Sequence, residues 1–203
     1  MSYSDFNLSQ INKIFGVNID EKLGIFTNIK ITEIDPFFIK YLQNNIPLAQ
    51  SIGTEKAKSE MIIAPVLIEV RRILDNKISL FSGIDFNVDP EHGLNGFCDF
   101  LISLSPQQLY VTSPIITLVE AKNDNLKSGI AQCIAEMIAA AKLNQQEDNQ
   151  IQQIYGCVTN GNQWLFMKLE NNQVTVDLSE YYINEPEKII SIFVKIITAE
   201  LNL

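Results

Sequence analysis

IITLVEAK, Ile115–Lys122, is the stretch on which the fold turns. Four of its first five residues are apolar and three are β-branched isoleucine or valine. That is the pattern of a strand buried on both faces. The run then ends in Glu120, Ala121 and Lys122. Side chains alternate along a strand, so Glu120 and Lys122 share one face and Val119 and Ala121 the other. A carboxylate and an amine are thus expected together at the tip of a buried strand.

The neighbouring segments supply the rest of a sheet. ISLFSGIDFNV (78–88) and LNGFCDFLISLS (94–105) read as strands, separated by the turn DPEHG. SGIAQCIAEMIAAAKLN (128–144) is alanine-rich and nearly all apolar, as in a mostly buried helix. QIYGCVTNGNQWLFMKL (153–169) holds Asn160-Gly161 between two apolar runs, a hairpin signal. VTVDL follows as a short strand, and EPEKIISIFVKIITAEL as an amphipathic closing helix. Upstream, TEKAKSEMIIAPVLIEVRRIL (54–74) predicts one long helix, kinked at Pro65. Residues 1–50 are expected to form an N-terminal helical extension. One of its helices is capped by Ser4 or Asp5, and another starts at Pro36. No low-complexity linker interrupts the chain. The expectation is a single α/β domain over 1–203, its core at 54–203, with a mixed central sheet flanked by helices.

Composition removes several chemistries. The 203 residues are enough for one sizeable core. No run of 18 apolar residues predicts a membrane span, and MSYSDFNLSQ lacks the features of a secretory signal. Cys98, Cys133 and Cys157 form no CxxC pair and are expected as buried free thiols of a reducing, cytoplasmic compartment. His92 is the only histidine and sits in a turn. It offers neither a zinc cluster nor a promising catalytic triad. Neither GxGxxG nor GxxxxGK[ST] occurs. The net charge of −9 has the wrong sign for coating nucleic acid through bulk charge, though it leaves room for a local basic groove.

If the second and third strands pair, Asp99, in the middle of GFCDFLIS, can reach the face of Glu120. Two carboxylates and an ammonium then converge. The alternative is an exposed Glu120–Lys122 pair worth little, with Asp99 in solvent. Ser128, Gln132 and Glu136, four residues apart, form one polar stripe that faces either water or a polar cleft. Lys56, Lys58, Arg71, Arg72 and Lys77 gather five of the 15 basic residues between 56 and 77. They either touch phosphates or form a solvated face paired with Glu55, Glu69 and Asp75. Trp164 either stacks on a base or packs against the closing helix.

From about residue 54 to 169 the chain resembles the PD-(D/E)XK nuclease superfamily, the restriction-endonuclease-like fold. The elements stand in that family's order: SEMIIAPVLIEV, GFCDFLIS, TLVEAK, then IAQCIAEM. The hairpin YGCVTNGNQWLFMKL resembles a segment of restriction-subunit-like members. Cys98 stands where the family usually has proline, and the aspartate is kept. The resemblance implies that Asp99, Glu120 and the Ala121 carbonyl hold Mg²⁺ or Mn²⁺ and that Lys122 activates water. It further implies that Gln132 binds the water or the substrate backbone. A helix carboxylate is implied too, with Glu60 fitting the pattern better than Glu69. The implied activity is hydrolysis of DNA phosphodiester bonds. The competing expectations are a non-catalytic nucleic-acid- or protein-binding module of the same fold, and an acidic regulatory module binding a protein through its N-terminal helices. A homodimer or a protein partner is compatible with any of these.

Overall fold

The computed structural model describes residues 1–201. Eight strands form one open mixed sheet. They are β1 (Asn18–Lys22), β2 (Ser79–Asp85), β3 (Phe97–Ser103), β4 (Ile115–Ala121), β5 (Gln153–Thr159), β6 (Gln163–Glu170), β7 (Gln173–Asp177) and β8 (Tyr181–Tyr182). Their order is β1-β7-β6-β5-β4-β3-β2, with β8 pairing β6. Every residue of β4 is buried, as its composition requires. It pairs antiparallel with β3 and parallel with β5.

A parallel pair needs a crossover, here α5 (Lys127–Gln146). Its small residues let it lie close on the sheet. A Cβ on Gly156 of β5 would stand 2.4 Å from Met137 Sδ and 2.9 Å from Cys133 Sγ. At its far end, Asn144 donates to Ile115 O (2.7 Å) and accepts from Ile115 N (2.8 Å), so its amide serves as a strand partner where β3–β4 pairing shifts. With α1 (Leu8–Phe15), α5 covers one face of the sheet. The other face is covered by α2 (Pro36–Ile52), α4 (Ala64–Ile73) and α6 (Pro186–Leu201). Trp164 is fully buried on that second face, edge-on to Phe193 of α6 at 6.1 Å, so it packs against the closing helix and is not available for stacking on a base.

Three expectations are corrected. The first fifty residues are not a purely helical extension, because β1 pairs parallel with β7 and belongs to the sheet. Helix α1 is capped by Asn7, in a capping box with Gln10, while Ser2 and Asp5 cap a separate 3₁₀ turn (Tyr3–Asp5). The long helix over 54–74 is three pieces: α3 (Glu55–Lys58), a π-helical turn (Ser59–Ile63) and α4. Pro65 has no N–H to continue the ladder, and its ring crowds the preceding carbonyls. The wider turn, closed by Ala64 N–H donating to Ser59 O, takes up that misfit.

Candidate active site

The register Phe100↔Val119, Leu101↔Leu118, carried one residue further, sets Asp99 of β3 across from Glu120 of β4. Opposed residues of an antiparallel pair lie about 5 Å apart at Cβ. The main chain fixes the local geometry. Lys122 N–H donates to Thr159 O (2.8 Å), toward β5. Alternate backbone groups point to opposite neighbours, so those of Ala121 point toward β3. There Ala121 N–H donates to Asp99 Oδ2 (2.8 Å), and the side chain takes over where the ladder ends.

Glu120 is 1% exposed. Lys122 Nζ donates to its Oε1 and, at 3.1 Å, to Gln132 Oε1. Gln132 Nε2 in turn donates to Glu136 Oε1 (3.2 Å). The lysine stem crosses the first turn of α5 at Gly129, where a Cβ would stand 3.0 Å from Lys122 Cε and 3.1 Å from Cγ. The polar stripe of α5 descends from water into the interior: Ser128 is exposed, Gln132 half-buried and Glu136 fully buried.

Burial, then the charge of Asp99, raises Glu120 against the opposing pull of Lys122. Burial, then Glu120, raises Glu136 well above the carboxylate range. The Oε2 atoms of both are buried without a hydrogen-bond partner, and each carboxyl shifts the other. Glu136 is fully enclosed with no cation beside it, whereas Glu120 is paired with Lys122. Burial alone would lower the Lys122 ammonium. The hydrogen bond and charge of Glu120, then Asp99 and Glu55, outweigh it and hold the group above its usual value. The three cysteines are free and buried, and burial pushes each thiol up, so none is a ready thiolate.

The remaining expected residues lie elsewhere. Glu60 is exposed and faces Lys56 at 3.8 Å, so it does not join the cluster. Glu69 is buried in a two-point pair with Arg72, both contacts 2.7 Å. Arg71 donates to Ile78 O and Asn76 Oδ1. Only Lys58 of the basic set approaches the site, donating to Asn123 O (2.7 Å) just past Lys122. The arginines are 13 residues further along helical backbone, about 20 Å away at 1.5 Å per residue. The basic residues are therefore not one groove. The helix carboxylate whose charge reaches Lys122 is Glu55, beside the Thr54 cap, which sequence spacing did not single out. Glu136 was visible only as part of the stripe. His92 sits in a 3₁₀ turn (Pro90–His92) and bonds Asp89 (2.8 Å), as a turn residue should.

Among the described residues no three His, Cys, Asp or Glu side chains stand in a ready ligand array. The available donors are Asp99, Glu120 and the Ala121 carbonyl, hard oxygens that suit a cation keeping several waters. Among the described residues no helix is long and apolar enough to cross a membrane.

Compared with known protein families, curated protein sequences and solved structures, the chain matches none. Its class therefore rests on its own geometry. It is an α/β protein whose open mixed sheet carries two carboxylates and a lysine at one end of its central strands, met there by a glutamine of the crossover helix α5.

Proposed function

We propose that this protein is a metal-dependent phosphodiesterase of the restriction-endonuclease-like fold, acting on DNA. The observation that carries the reading is the meeting of Asp99, Glu120, Lys122 and Gln132 at the end of the β3–β4 pair. Asp99, Glu120 and the Ala121 carbonyl would hold Mg²⁺ or Mn²⁺, which when bound lowers the pKa of a water and neutralises phosphate charge. Lys122 has three N–H donors and spends two on Glu120 and Gln132. The third serves a phosphate oxygen or the attacking water. Phosphodiester hydrolysis with these parts requires no histidine or thiolate.

Calorimetry with Mn²⁺ tests the ligand set. Asp99→Ala and Glu120→Ala should abolish binding, and Lys122→Ala should keep it. Equal binding by all four proteins would refute the reading.

One observation favours a second reading, a non-catalytic module of the same fold. The net charge is −9, and Arg71, Arg72 and Lys58 are all bonded within the chain. A protein handling DNA through such a surface would need a partner to supply positive charge. Metal binding without cleavage of any DNA supports that alternative.

A further inference from the structure

Glu136 has no place in the reaction just described, yet it is fully buried on α5, flanked by buried Cys133, Ile134, Ala135, Met137, Ala139 and Ala140. Burying a carboxyl there is costly unless it is hydrogen-bonded. Its visible partner is the amide of Gln132, which bridges to Lys122.

An amide is asymmetric, with an oxygen that accepts and a nitrogen that donates. Gln132 presents its oxygen to the Lys122 ammonium only while something on its other side accepts from the nitrogen. Glu136 Oε1, at 3.2 Å, is that acceptor. It accepts whether or not the other oxygen of the carboxyl carries a proton. With the amide fixed, Lys122 Nζ sits between two acceptors, Glu120 Oε1 and Gln132 Oε1. Its third N–H then has a defined direction. Gly129 gives the stem room to reach that position.

We infer that Glu136 is a positioning residue: through the Gln132 amide it fixes Lys122 with one N–H directed to an anionic oxygen of the ligand. The chain of contacts stands by itself. Only the identity of that oxygen, a phosphate oxygen, rests on the nuclease reading.

The experiment is trace labelling of the whole chain with acetic anhydride, with acetylation at each lysine measured by mass spectrometry. Lys122, held at two acceptors, should react slowly. Gln132→Leu should raise its rate several-fold, and Glu136→Leu should raise it by the same factor. The double variant should show no further increase, because both changes break one chain of contacts. Glu136→Gln keeps an oxygen that accepts from Gln132 and should label as the wild type does. Lys168, paired with Glu170 on β6, should be unchanged throughout, which separates this effect from general loosening. An unchanged Lys122 rate in Glu136→Leu, or additive effects in the double variant, would overturn the inference.

Should Glu136→Leu fail to fold, the wild-type chain still decides. Hydrogen exchange of the Gln132 side-chain amide, followed by NMR, should be slow. Exchange as fast as that of exposed Gln152 would refute the inference. Neither readout needs cleavage, so an inactive protein would defeat the proposed function and leave this inference standing, and the reverse also holds.

Discussion

Gly129→Ala sets two known effects against each other. Gly129 is the third residue of α5 and has ordinary helical backbone, so alanine should gain up to about 1 kcal/mol in helix propensity. The added Cβ, however, would stand 2.8 Å from Val158 Cγ1, a distance real Cβ atoms do not tolerate. It would also press on the Lys122 stem at 3.0 and 3.1 Å. Forcing an extra carbon into a packed interior costs about 1–3 kcal/mol. Val158 belongs to the central sheet and is held by its neighbours, whereas the lysine stem is flexible. The strain is therefore relieved partly by displacing Lys122. The expected result is net destabilisation of about 0–2 kcal/mol in urea unfolding, together with faster acetylation of Lys122. Under the proposed function, turnover also falls while Mn²⁺ binding is kept. Stabilisation by about 1 kcal/mol with Lys122 labelling unchanged would mean that the glycine is an ordinary helix residue, and the packing argument would fail.

Two further outcomes are expected. Glu136 has a folded-state pKa raised above its ordinary 4.5, so the native state binds the extra proton. Its stability contribution is complete below pH 4.5 and is lost as pH rises toward the raised pKa, at about 1.4 kcal/mol per unit. Glu120, raised to about 8 by burial and then by the charge of Asp99, loses stability over the same range. Urea midpoints in chelator from pH 5 to 8 should therefore fall for the wild type and fall less steeply in Glu136→Gln, where only the Glu120 contribution is left; parallel profiles would contradict this. Asp89, lowered to about 2 by hydrogen bonds from Lys142 and then His92, acts only in the acid range. Asp177→Ala removes a buried carboxylate that accepts from Gly24 N (3.0 Å), Phe26 N (3.3 Å), Ser179 N (2.9 Å) and Tyr181 OH (2.9 Å). Stranding these donors should cost about 3 kcal/mol or more in the same assay, and a loss under 1 kcal/mol would show that water replaces the carboxylate freely.

The central strand was legible because burial on both faces leaves a continuous apolar run, and the period of two then placed Glu120 beside Lys122. The crossover helix was legible from its alanine-rich composition. That same composition hid Glu136: when nearly every side of a helix is buried, a polar stripe does not say which of its members meets water. Strand β1, NIDEK, is a partly exposed edge strand and carries no alternating apolar signal. The break into a π-helical turn depends on how Pro65 is accommodated, and spacing registers only the proline. The basic residues between 56 and 77 are neighbours in sequence, but a helix spreads them along its length and turns them to different partners. Which helix carboxylate lies within electrostatic reach of Lys122 was equally a matter of docking. It placed the Glu55 end near Lys122 and left Glu60 in water.

The most direct test of the proposed function is cleavage of supercoiled plasmid DNA by purified protein with Mg²⁺ or Mn²⁺. The wild type should nick the plasmid, a chelator should stop it, and Asp99→Ala and Lys122→Ala should each slow it by about 10²-fold or more. No cleavage by a wild type that calorimetry shows to be metal-loaded, or cleavage undiminished in Asp99→Ala and Lys122→Ala, would contradict it.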